Sequence, residues 1–205
     1  MARYTGSVCR ICRAGGEKLF LKGERCNTGK CAIVRTNYRP GQHGQSRQKS
    51  SEYAIRLKEK QKLRKIYGIM ERQFRRYYDM ASRQKGVTGE KLLQLLETRL
   101  DNVVFRLGFT KSRQQARQLV FHGHILVNGR KVDIPSFQVK IGTQIEIKSK
   151  SADTVKTYIA GDYSFVPSWL SCDKDELKGQ VVAIPARNEI PTSIKENLVI
   201  EFYSR

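Results

Sequence analysis

Hydrophobic positions recur at helical spacing through most of the chain and alternate in only one short stretch. Leu63, Ile66, Tyr67, Met70, Phe74, Tyr77, Tyr78 and Ala81 hold helical spacing at intervals of one, three or four residues, which predicts helix with an apolar face. Ser50 or Ser51 can cap its start, near Glu52, and Gly68 interrupts it, so a kink or two successive helices are expected. Phe74 and Tyr78 read as core. The segment from Gly86 to Gly89 breaks the pattern, and Leu92, Leu95 and Leu96 resume it in a short helix. Leu100, Val103, Val104 and Leu107 form the next stripe, with Gly108 where a left-handed C-cap wants no Cβ. A further helix opens at Thr110 or Ser112, since Ser112 and Gln115 fit a capping box; Ala116, Leu119 and Val120 are its seam and Gly123 closes it. Alternation then begins. Ile125–Val127 and Arg130–Val132 flank Asn128-Gly129, the signature of a type I′ hairpin, and Val139, Ile141, Ile145 and Ile147 continue it across Gly142-Thr143 as a small mixed sheet.

Beyond Lys150 the pattern thins. Residues 159–163 and 166–170 read as loop and short turn, with Trp169 as a packing anchor, and Leu198–Tyr203 reads as a strand. This tail is expected to return onto the helical body. The whole predicts an α+β chain, with a discontinuous helical domain and an inserted small α+β module. Its segments are an arm over 1–46, a helical domain over 47–97, the module over 98–160 and the return over 161–205.

Charge changes what this pattern means. The 205 residues carry 39 Lys and Arg against 19 Asp and Glu, a formal charge of +20. From residue 151 onward there are 6 basic and 8 acidic residues, so residues 1–150 hold 20 − (−2) = +22. Self-repulsion on that scale points to a polyanionic partner along the first three quarters of the chain. No secretory hydrophobic region follows Met1 and no run is long enough to span a membrane. A cytosolic protein without membrane attachment is expected.

Three groups of basic residues are candidates for that partner. Arg113 and Arg117 share one side of their helix, with Lys111 and Ser112 at its N-terminus and Arg130 and Lys131 on the hairpin, an arrangement suited to phosphate. On the long helices Arg56, Lys60, Arg64, Arg72, Arg75 and Arg76 lie away from the apolar face. Between residues 35 and 47 Pro and Gly forbid regular structure while Arg35, Arg39, His43 and Arg47 offer contacts, which predicts an extended arm that orders on RNA.

Cys9, Cys12, Cys26 and Cys31 give the spacing C-x2-C-x13-C-x4-C, and two close pairs can supply four soft ligands to one Zn²⁺. Arg10, Arg13, Arg25 and Lys30 beside them would lower the thiol pKa values. An iron–sulfur cluster, two disulfides or four free thiols are the other readings; disulfides suit a secreted domain, and a four-ligand site leaves no position open for catalysis. Cys172 stands apart and reads as a small apolar residue.

Thr110-Lys111-Ser112-Arg113, Ala116–Val120, His122-Gly123-His124-Ile125 and Val127-Asn128-Gly129 resemble the RNA-binding module of the ribosomal protein S-four family. Cys9-Arg10-Ile11-Cys12-Arg13, residues 17–26, Pro40-Gly41-Gln42-His43-Gly44, residues 71–78, residues 166–170 and the ending Glu201–Arg205 extend the resemblance to nearly the whole chain. The resemblance is to the bacterial type and to its zinc-bearing branch. It adds His124 and Asn128 to the candidate RNA contacts. It implies a structural constituent of the small ribosomal subunit, a primary binder of small-subunit rRNA at a five-way junction that nucleates assembly and contributes to translational accuracy. The partners implied are that rRNA, the neighbouring S-three and S-five ribosomal proteins, and messenger RNA near the channel by which it enters. An enzyme using the same module is the rival class. A pseudouridine synthase would need a separate catalytic domain, a synthetase a phosphate-cradling glycine motif, and Asp101, Asp133 and Glu146 are too scattered for acid/base chemistry. A zinc-dependent DNA regulator would need a helix-turn-helix or a Cys/His finger pattern. No catalytic residue is expected.

Overall fold

A computed structural model describes residues 4–46, 49, 51–159, 166–190 and 193–204, with the side chains of 158 and 159 left aside. In chain order, α1 (Val8–Gly15) and α2 (Ala32–Arg35) precede the long helices α3 (Glu52–Ile66) and α4 (Glu71–Ser82). Next come α5 (Thr88–Glu97), α6 (Leu100–Arg106) and α7 (Arg113–Phe121), then strands β1 (Ile125–Val127), β2 (Arg130–Lys131) and β3 (Gln144–Ile147). Helix α8 (Ser149–Ile159), strands β4 (Leu170–Asp173) and β5 (Lys178–Val181) and helix α9 (Glu196–Tyr203) complete the chain. The fold is α+β, in two compact units: Met1–Lys91 with Thr192–Arg205, and Leu92–Pro191.

In the first unit Ser51 caps α3, its Oγ accepting the Ala54 N–H at 3.3 Å. Gly68 sits at φ 64°, a left-handed residue that ends one helix and lets α4 begin. Leu63, Phe74 and Ala81 are fully buried. The chain's last element corrects the sequence reading: Leu198–Tyr203 belongs to the helix α9, not to a strand. A short apolar run carries no period that separates the two, and here packing decides. Val199 is buried, Glu201 is exposed, and the aromatic rings of Phe202 and Tyr203 turn inward against α3 and α4. Tyr203 stacks on Tyr78 at 4.7 Å, the ammonium of Lys60 sits 4.6 Å over Phe202, and Glu196 in the first turn favours the helix dipole.

The second unit is built on a five-stranded antiparallel sheet in the order β2-β1-β3-β5-β4. The stripe Leu100, Val103, Val104 and Leu107 and the seam Ala116, Leu119 and Val120 pack on Ile125, Val127, Ile145 and Ile147 in one core. At roughly 25 cal/mol per Å² of apolar surface, each buried Leu, Ile or Val among them contributes about 1.5–3 kcal/mol. Asn128 and Gly129 take φ of 49° and 76°, the type I′ turn that their sequence predicts.

Two expectations fail here. Residues 139–141 form no strand: the Val139 N–H goes to Thr98 O, Ile141 is exposed, and β3 pairs instead with β5. Residues 166–169 are coil and turn as expected, but α8 and the β4–β5 hairpin lie in stretches for which the pattern predicts no element, and residues 166–190 belong to this unit although the sequence assigns 161–205 to the return onto the helical body. The pattern hides the hairpin because, besides Leu170 and Val181, its inward positions carry no large hydrophobe. One is Cys172; another is Gly179, where a Cβ would come 2.5 Å from Leu107. Trp169 is buried in this core, as its size predicts.

Candidate nucleic-acid interface

The module's basic edge rests on α7. Ser112 is its N-cap, with Oγ accepting the Gln115 N–H at 3.3 Å, while Gln115 Oε1 accepts the Lys111 N–H at 3.0 Å. The cap therefore reaches one residue further back than a capping box, and two of the N–H groups expected to face phosphate are used internally. Arg113 donates from Nε to Asn102 Oδ1 at 2.8 Å, and its guanidinium lies 4.6 Å over the Phe105 ring. Arg117 reaches Asp101 Oδ2 at 3.5 Å. Arg130 and Lys131 are exposed on β2.

Two residues named by resemblance are tied into the fold. Asn128 Oδ1 accepts the Gln144 N–H at 2.8 Å, pinning the hairpin turn to β3. His124 Nδ1 lies 2.7 Å from Ser151 Oγ, which joins β1's approach to α8.

Beneath this edge lies a polar cluster that the sequence reading passed over. Arg99, fully buried, forks onto Asp101 with Nε–Oδ1 at 3.0 Å and Nη2–Oδ2 at 2.7 Å. Glu97, also buried, receives Arg106 bidentately at 2.9 and 2.6 Å and the amide of Asn102 at 2.6 Å. Asp101 finds Arg99 two residues away, and only Arg117 is brought to it by folding. The available signal was polar residues at 101 and 102, immediately beside the apolar stripe of α6.

In the first unit the long-helix candidates divide. Arg56 is held by Glu201 at 2.7 Å and Glu52 at 3.1 Å; the hydrogen bond to Glu201 raises its pKa further, against a smaller effect of burial. Arg64 is held by Glu71 at 3.2 Å, Lys60 joins Glu71 at 2.8 Å, and Tyr203 donates to Glu71 at 2.5 Å. These groups fasten α9 to α3 and α4. Burial pushes the Glu71 carboxyl up, but the hydrogen bonds from Lys60 and Tyr203 and the charges of Lys60 and Arg64 outweigh it and hold Glu71 below the usual carboxylate range. Burial and the bond to Glu71 push the Tyr203 hydroxyl far up, so it stays a donor. Arg72, Arg75 and Arg76 stand exposed on α4.

Arg35 ends α2, and Arg39 and His43 are exposed in the turns that follow; Arg47 lies outside the described residues. Arg13 anchors the start of this arm, donating from Nε to Tyr38 O at 3.0 Å with its guanidinium 5.0 Å from the Tyr38 ring.

No disulfide joins any of the five cysteines. Cys9 and Cys12 lie one turn apart on α1, Cys26 ends a 3-10 turn over Gly23–Cys26, and Cys31 caps α2. Burial raises the Cys12 thiol, a hydrogen bond from the Leu19 backbone opposes it, and the charges of Cys26, Cys9 and Cys31 push it up again. The lowering expected from neighbouring cations is not what governs Cys12, since Arg13 is turned to Tyr38. Among the described residues no group of three or more His, Cys, Asp or Glu is gathered into a metal-holding arrangement. None of their helices is long and apolar enough to cross a membrane.

Residues 3–97 match the family described as ribosomal protein S4/S9 N-terminal domain, and residues 98–145 match the S4 domain. Small ribosomal subunit protein uS4 of Acetivibrio thermocellus is 57% identical, and the alignment covers 100% of both chains. The chain belongs to the uS4 family. The uS4 of Heliobacterium modesticaldum is 58% identical and that of Pelobacter propionicus 57%, each again over the full length of both chains. In this uS4 chain the S4 domain match ends within β3, so β4 and β5 extend the sheet of the module beyond it.

Proposed function

We propose that this chain is a structural constituent of the small ribosomal subunit that binds small-subunit rRNA early, helps nucleate assembly and contributes to translational accuracy, without catalysing a reaction. The observation that carries it is full-length identity of 57–58% to small ribosomal subunit proteins uS4. The exposed cations of α4, the arm and the module supply the phosphate contacts such a role needs. Its place is the cytoplasmic ribosome. Its neighbours are the S-three and S-five ribosomal proteins and messenger RNA near the channel by which it enters.

A structural Zn²⁺ on Cys9, Cys12, Cys26 and Cys31 belongs to the same reading. The donors fit in number and softness: three of the four are buried, Cys12 feels the charges of the other three, and the Lys22 N–H donates to Cys26 Sγ at 3.4 Å. Bound there, the metal would cross-link α1 to the segment before α2, and the four thiolates would hold it without an open position. Chemical footprinting of 5′-domain small-subunit rRNA, with and without chelator, tests both parts. Protection of one junction, with metal analysis finding one Zn²⁺ per chain, is expected. Uniform weak protection would overturn the rRNA reading, and native protein free of metal would overturn the zinc.

A further inference from the structure

We propose that Asn102 is a positioning residue for RNA binding, turning the buried charge of Glu97 into a fixed orientation of the Arg113 guanidinium; this rests on the reading of α7 as an RNA-facing edge. Asn102 is 1% exposed and its planar amide is used at both ends. The amino group donates to Glu97 O at 2.9 Å and to Glu97 Oε2 at 2.6 Å, and the carbonyl accepts from Arg113 Nε at 2.8 Å. Only a carboxamide offers donor and acceptor in one rigid plane at this size. An aspartate would put a second carboxylate against Glu97, and an apolar side chain would leave Glu97 Oε2 to Arg106 Nε and take away the acceptor of Arg113 Nε.

Glu97 sets the direction of that plane. Its carboxylate is matched by the fork of Arg106 and accepts from Asn102 as well, so the amino end of the Asn102 amide faces it. The Asn102 carbonyl then points at α7. Phe105, one turn along α6 from Asn102, covers one face of the same guanidinium. A hydrogen bond at Nε and an aromatic face together fix both the position and the plane of Arg113. An arginine so held loses little rotamer entropy when it meets a phosphate, which is the gain from preorganisation. No orphaned buried polar atom is found among the described residues of this cluster.

The test is a pair of double-mutant cycles on the full chain, with affinity for 5′-domain small-subunit rRNA measured at fixed moderate salt. Arg113→Ala is expected to weaken binding by roughly tenfold, as a charge-assisted hydrogen bond would. Asn102→Leu is expected to weaken it by roughly fivefold in a cooperatively folded protein, because only part of that contact depends on orientation. Combined with Arg113→Ala, Asn102→Leu should then add nothing, whereas combined with Lys131→Ala the losses should multiply. A general loosening of the module would couple Asn102 equally to Lys131, and that result would overturn the proposal, as would full affinity in folded Asn102→Leu. Where Asn102→Leu does not fold, Phe105→Leu runs the same cycle without stranding a charge, and additivity with Arg113→Ala there is equally contrary. If Arg113→Ala alone leaves affinity unchanged, the RNA reading of this edge fails, and the proposal falls with it.

Discussion

Arginines serve the two units in different ways. In Leu92–Pro191, Arg113 and Arg117 rise from buried acids and amides, with Arg99 and Asp101 forming a fully covered pair beneath them. In the other unit Arg56 and Arg64 are occupied in fastening α9, while Arg72, Arg75 and Arg76 stand in water on α4 and form no ion pair among the described residues. The first arrangement gives a few cations of fixed direction. The second gives more cations of free direction. A polyanion meets the second through counterion release, which is insensitive to geometry, and the first through directed hydrogen bonds, which are not.

The largest effect that would separate the two is on stability. Asp101→Leu leaves the buried Arg99 guanidinium without its counter-charge and should cost about 3–5 kcal/mol, read by denaturant unfolding. Alanine at Arg72, Arg75 and Arg76 together should leave stability within about 0.5 kcal/mol per site. The same triple change should make the salt dependence of rRNA binding shallower by roughly two to three units, and an unchanged slope would remove α4 from the interface. Arg113→Lys keeps the charge but loses the planar fork, so it should cost about 1 kcal/mol of affinity, whereas Arg75→Lys should be near neutral. Equal effects at the two positions would erase the contrast between directed and free cations.

The smallest effect concerns the fastening of α9. Because the Glu71 pKa lies below its unfolded value, its contribution is complete above the ordinary carboxylate pKa of about 4.3 and is lost as pH falls through the lower folded value. Glu71→Gln should therefore flatten the fall in melting temperature between about pH 5 and about pH 3. An unaltered profile would mean that Lys60, Arg64 and Tyr203 hold α9 without that charge.

What the sequence made legible was local. The Ser51 and Ser112 caps, the break at Gly68 and the Asn128-Gly129 turn each depend on a few neighbouring residues, and each stands where its chemistry predicts. What it hid depends on distant partners. Helix α9 is a helix because α3 and α4 receive its aromatic rings, and β5 can carry Gly179 because Leu107 fills the space. The candidate site divides the same way. The exposed cations were readable from charge alone, but that Asn128 pins β3, that Arg64 holds Glu71, and that Glu97 and Asn102 stand under Arg113 needed the fold.

The central claim is that these cations recognise the shape of one folded RNA. Competition at moderate ionic strength, between small-subunit rRNA carrying its 5′-domain junction and a plain duplex of equal length, tests it most directly. Specific contacts predict that the junction RNA is retained at duplex excesses of roughly a thousandfold, the lower end of the usual ratio of specific to non-specific binding. Displacement by an equal amount of duplex would contradict it.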